Sequence, residues 1–490
     1  MNKKIKLYVF IGPVLMAGAF LVSFILDNDQ VLDDKERIFV SSDYKELFNE
    51  EKKNIILITI DTLRADHLGY MGYPRNTTPF IDKLAAKGVV FKNMFTTEPI
   101  TAPAHASILT SLYPEQINII NNSEKLNDRF ITLPEYLKEQ GYITGAFVSS
   151  SRLVGCNLEQ GFDIYNKNSD DNKDIMDEGD YEKMSINKNK EFRNAKKTVS
   201  RAILWLENKS GSNSFFLWIH LNDPHKKMLS TAPNYKKNKN DKISDIELIN
   251  FWKKEQGINL ALLKGVFNNQ DGLLNSNNFL PNKSIVGPYY YGLSVINRYD
   301  GAVQYIDEQI KYLYEYIGEK YENQENIWLI TSDHGLGLGS HNHYDNLKNV
   351  YNEQLLTPLI IHNTKKEDNK IINDVVENID ILPTVADIVE FSLKDDPVPV
   401  EGESLMGLIN GRGERLKKEA YSIHPTINLV SLQDEEYKYI YNKADKDQNE
   451  LYSLKIDNKE SENIIKDNKL VKIKNIFEEE ILKRIMGFNF

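Results

Sequence analysis

The chain has 490 residues, with 60 Lys and Arg against 71 Asp and Glu, for a net charge of −11. Hydrophobic residues make up 41% and charged residues 27%, which excludes a wholly disordered chain and fits a globular one. The acidic balance argues against nucleic acid as the main partner, because phosphate neutralisation needs clustered cations. The single cysteine, Cys156, rules out an intramolecular disulfide framework and reads as a small buried apolar residue.

The N-terminus opens with Lys3, Lys4 and Lys6, followed by an apolar run from Leu7 to Leu26. At a helical rise of about 1.5 Å per residue such a run spans roughly 30 Å, the thickness of a hydrocarbon core. The basic flank belongs on the cytoplasmic side, which puts the rest of the chain outside, in the periplasm or beyond the cell. The run ends Ser-Phe-Ile-Leu-Asp without a small-x-small cleavage site, so residues 1–26 read as an uncleaved anchor, with a cleaved signal peptide as the rival. Residues 27–52 are polar and aperiodic and read as a linker.

The next element is Asn54–Ile60, NIILITI, whose continuous apolar character is that of a strand buried on both faces. Helices are expected over Thr78–Gly88 and, behind Pro103, over Ala104–Leu112. Further strands are expected at Ile143–Ser149, Ser214–His220, Ile327–Thr331 and Pro358–His362, with helices over Tyr299–Gly318 and Ile379–Phe391. This alternation is the pattern of a mostly parallel α/β sheet flanked by helices. Asn166–Glu191 and Met228–Lys283 have the composition of surface insertions, the second containing a candidate helix over Ile249–Phe267. Residues 53–400 thus read as one large α/β domain, and 401–490, with a strand at Tyr437–Tyr441, another stretch at Glu450–Leu454 and a charged terminal helix, as a small α+β subdomain.

Four segments carry groups suited to chemistry. Asp61 follows the first strand, where ligands of open α/β sheets bind, although an Asp there also serves as a helix cap. Ser332-Asp333-His334-Gly335 follows IWLIT, and a carboxylate beside an imidazole suits a divalent cation; His341 and His343 follow on the same loop. Thr101-Ala-Pro-Ala-His105 leads into a helix, so the hydroxyl of Thr101 stands at an anion-attracting N-terminus, or merely caps it. His220-Leu-Asn-Asp223-Pro224-His225 offers two imidazoles after a strand, one of which can serve as general acid, with Lys226 and Lys227 beside them; it also reads as a polar turn.

Taken in order, NIILITIDTLRADHLGYMGY, TTPFIDKLAAKGVVFKN, PITAPAHASILTSLYP, IHLNDPH, RYDGAVQYID, LITSDHGLGLGSH and NIDILPTVADI resemble the sulfatase family of the alkaline phosphatase superfamily across residues 53–455. The resemblance implies a metal-dependent hydrolase or transferase of sulfate or phosphate esters. It implies a divalent ion (Mn, Zn, Mg or Ca) on Asp61, Asp333 and His334, touched also by the nucleophile Thr101. It further implies His225 as the acid for the leaving oxygen, His105 where the family has an Arg, and Lys348 as an anion-binding residue. The substrate would be a small anionic ester, or a sulfated or phosphorylated glycan or lipid head group. Two positions depart from the pattern. Thr101 replaces the Cys or Ser that becomes formylglycine, and its Cβ methyl prevents oxidation to the aldehyde, which favours phosphoryl transfer. Thr62 replaces the second Asp of the family's Asp-Asp pair. A formylglycine-independent sulfatase on sulfated glycans, and a membrane-anchored binding protein with a degenerate site, are the alternatives.

Overall fold

A computed structural model describes residues 53–490 apart from 168–192, 210–212, 226–227, 230–231, 234, 237–242, 261–289, 346–348, 394–397, 414 and 488–490. The N-terminal apolar run, Lys226, Lys227 and Lys348 lie outside the described residues. Among those described, no helix is long and apolar enough to cross a membrane.

The core is an eight-stranded sheet in the order β4-β3-β5-β1-β6-β7-β2-β8. Its strands are β1 (Asn54–Ile60), β2 (Val89–Phe95), β3 (Ile143–Val148), β4 (Ile164–Asn166), β5 (Phe215–Leu221), β6 (Asn326–Ser332), β7 (Leu356–Asn363) and β8 (Lys370–Glu377). Only β7 runs against the others, pairing antiparallel with both β6 and β2. Alternate residues of β1 feed different cores. Ile56, Ile58 and Ile60 pack on one face and Ile55 and Leu57 on the other. That is why the strand is apolar without a period of two.

On the first face lie α1 (Pro79–Lys87), α4 (Ala195–Asn208) and α6 (Tyr290–Lys320), together with α5 (Asp245–Glu255). On the second lie α2 (Thr101–Thr110), α3 (Leu133–Glu139) and α7 (Ile381–Val389). Cys156 is part of this second core, and burial pushes its thiol up to about 11, so it is packing rather than a nucleophile. A four-stranded antiparallel sheet, β9 (Ala420–His424), β10 (Leu429–Gln433), β11 (Tyr437–Asn442) and β12 (Glu450–Ser453), is covered by α8 (Val471–Gly487) through Phe477 and Ile481.

The observed boundaries refine several expectations. The helix expected over Thr78–Gly88 is α1, with Pro79 at its start. The one expected over Ala104–Leu112 begins at Thr101, so Thr101 is its first residue rather than part of a preceding turn. The candidate over Ile249–Phe267 is α5, which ends at Glu255. The helix expected over Tyr299–Gly318 starts earlier, at Tyr290.

Register positions the site. Ile60 pairs with Leu221 on one side and Ser332 on the other, and Val148 pairs with His220. The carboxyl ends of β3, β5, β1 and β6 therefore finish level. Ile58→Ala, at a fully buried position of the central strand, should cost about 2–5 kcal/mol. Ile371→Ala, at a residue 65% exposed, should stay within about 0.5 kcal/mol. Urea unfolding followed by circular dichroism checks both.

Candidate functional site

Four strand ends converge on Asp61, Asp333, His334, His220 and Thr101, all completely buried. Asp61 leaves β1 with its backbone N–H bonded to Leu221 O at 2.8 Å, and neither carboxylate oxygen has a hydrogen-bond partner. Asp333 leaves β6; its Oδ1 accepts from the backbone N–H of Thr62 (3.2 Å) and of His334 (2.8 Å), while Oδ2 has no partner. His334 donates Nδ1–H to Gly335 O at 2.8 Å, which fixes its tautomer and aims Nε2 at Thr101 Oγ1 and Asp333 Oδ2, each 3.5 Å away.

The loops that hold these groups are tightly braced. Thr62 has φ of 57°, a left-handed backbone unusual for a β-branched residue. It is held there by Tyr299 of α6, whose hydroxyl donates to Thr62 O (2.7 Å) and accepts from Arg64 N–H (2.8 Å). The Thr62 hydroxyl donates to Asp61 O at 2.7 Å, so this residue serves the site through its backbone where the family pattern has a second carboxylate. Gly335 has no room for a side chain: a Cβ would lie 2.1 Å from Glu353 O.

Unpartnered buried carboxylate oxygens are the observation that tests a metal. Burial pushes Asp61 up to about 8, with the Asp333 carboxylate raising it further, and burial pushes Asp333 up to about 7. Two desolvated acids, an imidazole and a hydroxyl facing one point suit a divalent cation, whose charge would replace the protons. Asp61, Asp333 and His334 offer ligand atoms that all lie within 4.8 Å of one another. The donor set fits.

Other expected site residues take different places. His105 donates Nδ1–H to Thr101 O (2.7 Å) and its Nε2 accepts from Thr59 Oγ1 (2.9 Å), since that hydroxyl oxygen itself accepts from Trp218 Nε1–H (3.0 Å). Burial lowers its pKa to about 3. It is thus a neutral brace under Thr101, not a cation beside the nucleophile. His341, expected to share a site with Asp333, turns away through a left-handed backbone (φ 47°), pairs with Glu353 at 3.1 Å and stacks on Tyr351. It lines a separate cavity of about 560 Å³ with Arg64, Glu353, Lys459 and Glu460, whose charges are matched by Asp66, Glu255 and Lys438. His343 belongs to none of the candidate metal groups among the described residues. Asp223 accepts from Ala195 N–H at 3.0 Å and so caps α4.

The helix N-terminus is less open than expected. Ala102 N–H goes to Asn122 Oδ1 (2.9 Å), Pro103 has none and Ala104 N–H bonds Ile100 O (3.0 Å). Positive charge comes instead from Arg152, just past β3, which also stabilises the ionised forms of Asp61 and Asp333. Its Nη1 donates to His225 Nε2 at 2.9 Å. Sequence reading missed Arg152, although the rule that found Asp61 applies equally to Ser149-Ser-Ser-Arg152 at the end of β3.

A sequence profile of the sulfatase family matches residues 53–391, and one described as "N-sulphoglucosamine sulphohydrolase, C-terminal" matches 339–486. The chain belongs to the sulfatase family. As such it is an ester hydrolase of the alkaline phosphatase superfamily. It is similar to an uncharacterised sulfatase of Escherichia coli (23% identity; 88% of this chain, 87% of that one). It is also similar to an N-acetylglucosamine-6-O-sulfatase of Bacteroides thetaiotaomicron (24%; 84% and 83%). Its fold matches that of a protein solved in complex with its substrate D-glucosamine-2-N,6-O-disulfate (TM-score 0.66, 21% identity; 89% and 98% covered). It also matches a phosphonate monoester hydrolase of Agrobacterium radiobacter (0.62, 17%; 89% and 96%).

The raised acids set a pH dependence for this sulfatase-family chain. In the metal-free protein burial makes Asp61 and Asp333 hold protons to about 8 and about 7, well above the usual carboxylate range. Their folded pKa values exceed the unfolded ones, so their contribution to stability is full below about pH 4 and is lost as pH rises through 7–8. Chelator-treated protein should therefore melt progressively lower from pH 5.5 to 8.5 relative to protein supplied with Mn²⁺ or Zn²⁺. Calorimetric titration should show protons released on metal uptake and affinity rising with pH up to about 8. Equal melting shifts at both pH values would contradict the arrangement.

Proposed function

We propose that the chain cleaves sulfate or phosphate monoesters or diesters with Thr101 as nucleophile, with phosphoryl transfer favoured. The observation that carries this reading is the Thr101 hydroxyl, buried on the first turn of α2 and 3.5 Å from His334 Nε2, which itself lies 3.5 Å from the unpartnered Oδ2 of Asp333. Asp61, Asp333, His334 and Thr101 would hold a divalent ion, which supplies positive charge to acidify the hydroxyl and neutralise the group in transfer.

Thr101 Oγ1 attacks phosphorus or sulfur, the bond to the ester oxygen breaks, and His225 gives a proton to the departing oxygen. Water or an acceptor alcohol then releases the group from Thr101. Arginine only donates, so His225 Nε2 is an acceptor in the substrate-free chain and its proton resides on Nδ1. An anionic substrate that draws Arg152 to itself frees Nε2 to take up a proton from solvent, which it gives to the departing oxygen while the proton of Thr101 Oγ1 is lost to solvent. His105 holds Thr101 in place, and Lys348 is left as an additional anion contact. The sulfated-glycan reading is favoured by the glucosamine disulfate bound to the similar structure. For localisation, the lysine-flanked run at Leu7–Leu26 supports a membrane anchor with residues 53–400 and 401–490 outside the cytoplasm.

Thr101→Ala should lose on the order of 10³-fold or more in kcat, while Thr101→Ser keeps substantial turnover. Acid-quenched wild type should yield a phosphorylated or sulfated peptide containing Thr101. Full activity in Thr101→Ala would overturn the assignment, and faster turnover of aryl sulfate than of aryl phosphate and phosphodiester would reverse the preference for phosphorus. His225→Ala should slow alkyl esters by about 10²–10⁴-fold but p-nitrophenyl esters far less, since a good leaving group needs no acid. Equal losses on both would remove His225 from that role.

A further inference from the structure

His220 takes no part in the chemistry proposed above, yet its Nε2 stands beside Asp61. It is the last residue but one of β5, pairs in register with Thr59 of β1 and Val148 of β3, and is completely buried. Neither ring nitrogen has a hydrogen-bond partner. A neutral imidazole carries one donor and one acceptor, and burying both unpaired costs free energy of the order of a lost hydrogen bond each. His105, whose ring packs edge-on against it at 4.9 Å, gives no relief, because both of its nitrogens are engaged elsewhere.

The spacing around His220 is informative. Its Nε2 lies 3.7 Å from Asp61 Oδ2, too far for a hydrogen bond. It shares that spacing with the other pairs of the site, Asp333 Oδ2 to His334 Nε2 and Thr101 Oγ1 to His334 Nε2, both 3.5 Å. Two ligand atoms each about 2.1 Å from one ion stand roughly 3–4 Å apart, depending on the angle between them. His220 and His105 offer ligand atoms within 4.8 Å of one another and of one from Asp333, a group that shares Asp333 with the set of Asp61, Asp333 and His334.

We infer that His220 is a further protein ligand of the divalent ion held by Asp61, Asp333 and His334. Two imidazoles with two carboxylates form a donor set for Zn²⁺, Mn²⁺, Fe²⁺ or Co²⁺ rather than for Ca²⁺ or Mg²⁺, which prefer oxygen alone. The unpaired nitrogen is then satisfied by the ion, and the centre becomes selective for transition metals. The inference rests on the reading of Asp61, Asp333 and His334 as a metal centre.

The test uses the full chain, stripped with chelator and reloaded with Zn²⁺, Co²⁺ or Ca²⁺ separately. His220→Phe fills the same space without a ligand, and His220→Asn serves if the phenylalanine variant fails to fold; circular dichroism reports folding for both. The expected result is a loss of about tenfold or more in Zn²⁺ affinity with little change for Ca²⁺. The d–d absorption of the Co²⁺ protein should shift, and X-ray absorption of the Zn²⁺ protein should lose one of two imidazoles. Unchanged Zn²⁺ affinity and an unchanged Co²⁺ spectrum in a folded variant would overturn the inference. So would two bound ions in the wild type, only one of which is lost in the variant. Asp61→Asn separates the two levels: if it too leaves metal content unchanged, the metal centre itself fails, whereas loss in Asp61→Asn alone refutes only His220.

Discussion

The structure turns on two carboxylates, Asp61 and Asp333, taken wholly out of water at the level carboxyl ends of adjacent strands. Among the described residues no arginine or lysine is paired with either, and three of their four oxygens lack partners. Such an arrangement is unfavourable in isolation and is tolerated only where folding elsewhere over-determines it. The over-determination is visible: parallel pairing of β1 with β5 and β6 fixes the strand ends, and the Tyr299 hydroxyl pins the loop after β1 on both sides of Leu63. The fold supplies the free energy that keeps the acids close together, and a cation is the natural recipient of that stored repulsion.

The same logic explains how the neighbouring imidazoles are sorted. Hydrogen bonding decides each one's role. His334 surrenders Nδ1 to a carbonyl and keeps Nε2 for the site; His105 spends both nitrogens on Thr101 and Thr59; His225 receives a proton donor from Arg152. Residue type alone could not separate them, since all three are buried histidines following or facing strand ends.

This bears on what was readable from the amino-acid sequence. The apolar runs at NIILITI and IWLIT revealed the two strands whose ends carry the acids, because strands buried on both faces have a clear signature. VVFKNMF and KIINDVVE concealed β2 and β8, whose lysines and asparagines lie towards the sheet margin and break any apolar run. Of Asp333, His334, His341 and His343, which share one loop in sequence, the first two stand at the strand ends and His341 turns away. Proximity in sequence says nothing about a reversal such as the left-handed turn at His341, which sends that ring to Glu353. Arg152 belongs to no motif, and only its place just past the end of β3 marks it.

The segment leading into α2, which carries Thr101, is not held by the main sheet alone. Ile423 N–H of β9 bonds Thr97 O at 2.8 Å and Ser422 Oγ donates to Thr96 O at 2.7 Å, while at the far end of α2 the Ser111 hydroxyl donates to Ile379 O and accepts from Gly402 N–H. Thr101 is thus suspended between anchorages that include the C-terminal sheet and its approach, both remote in sequence. The terminal region therefore acts as a jig for the hydroxyl, so that truncating it would displace Thr101 although the proposed nucleophile and metal ligands all lie more than sixty residues upstream of residue 401.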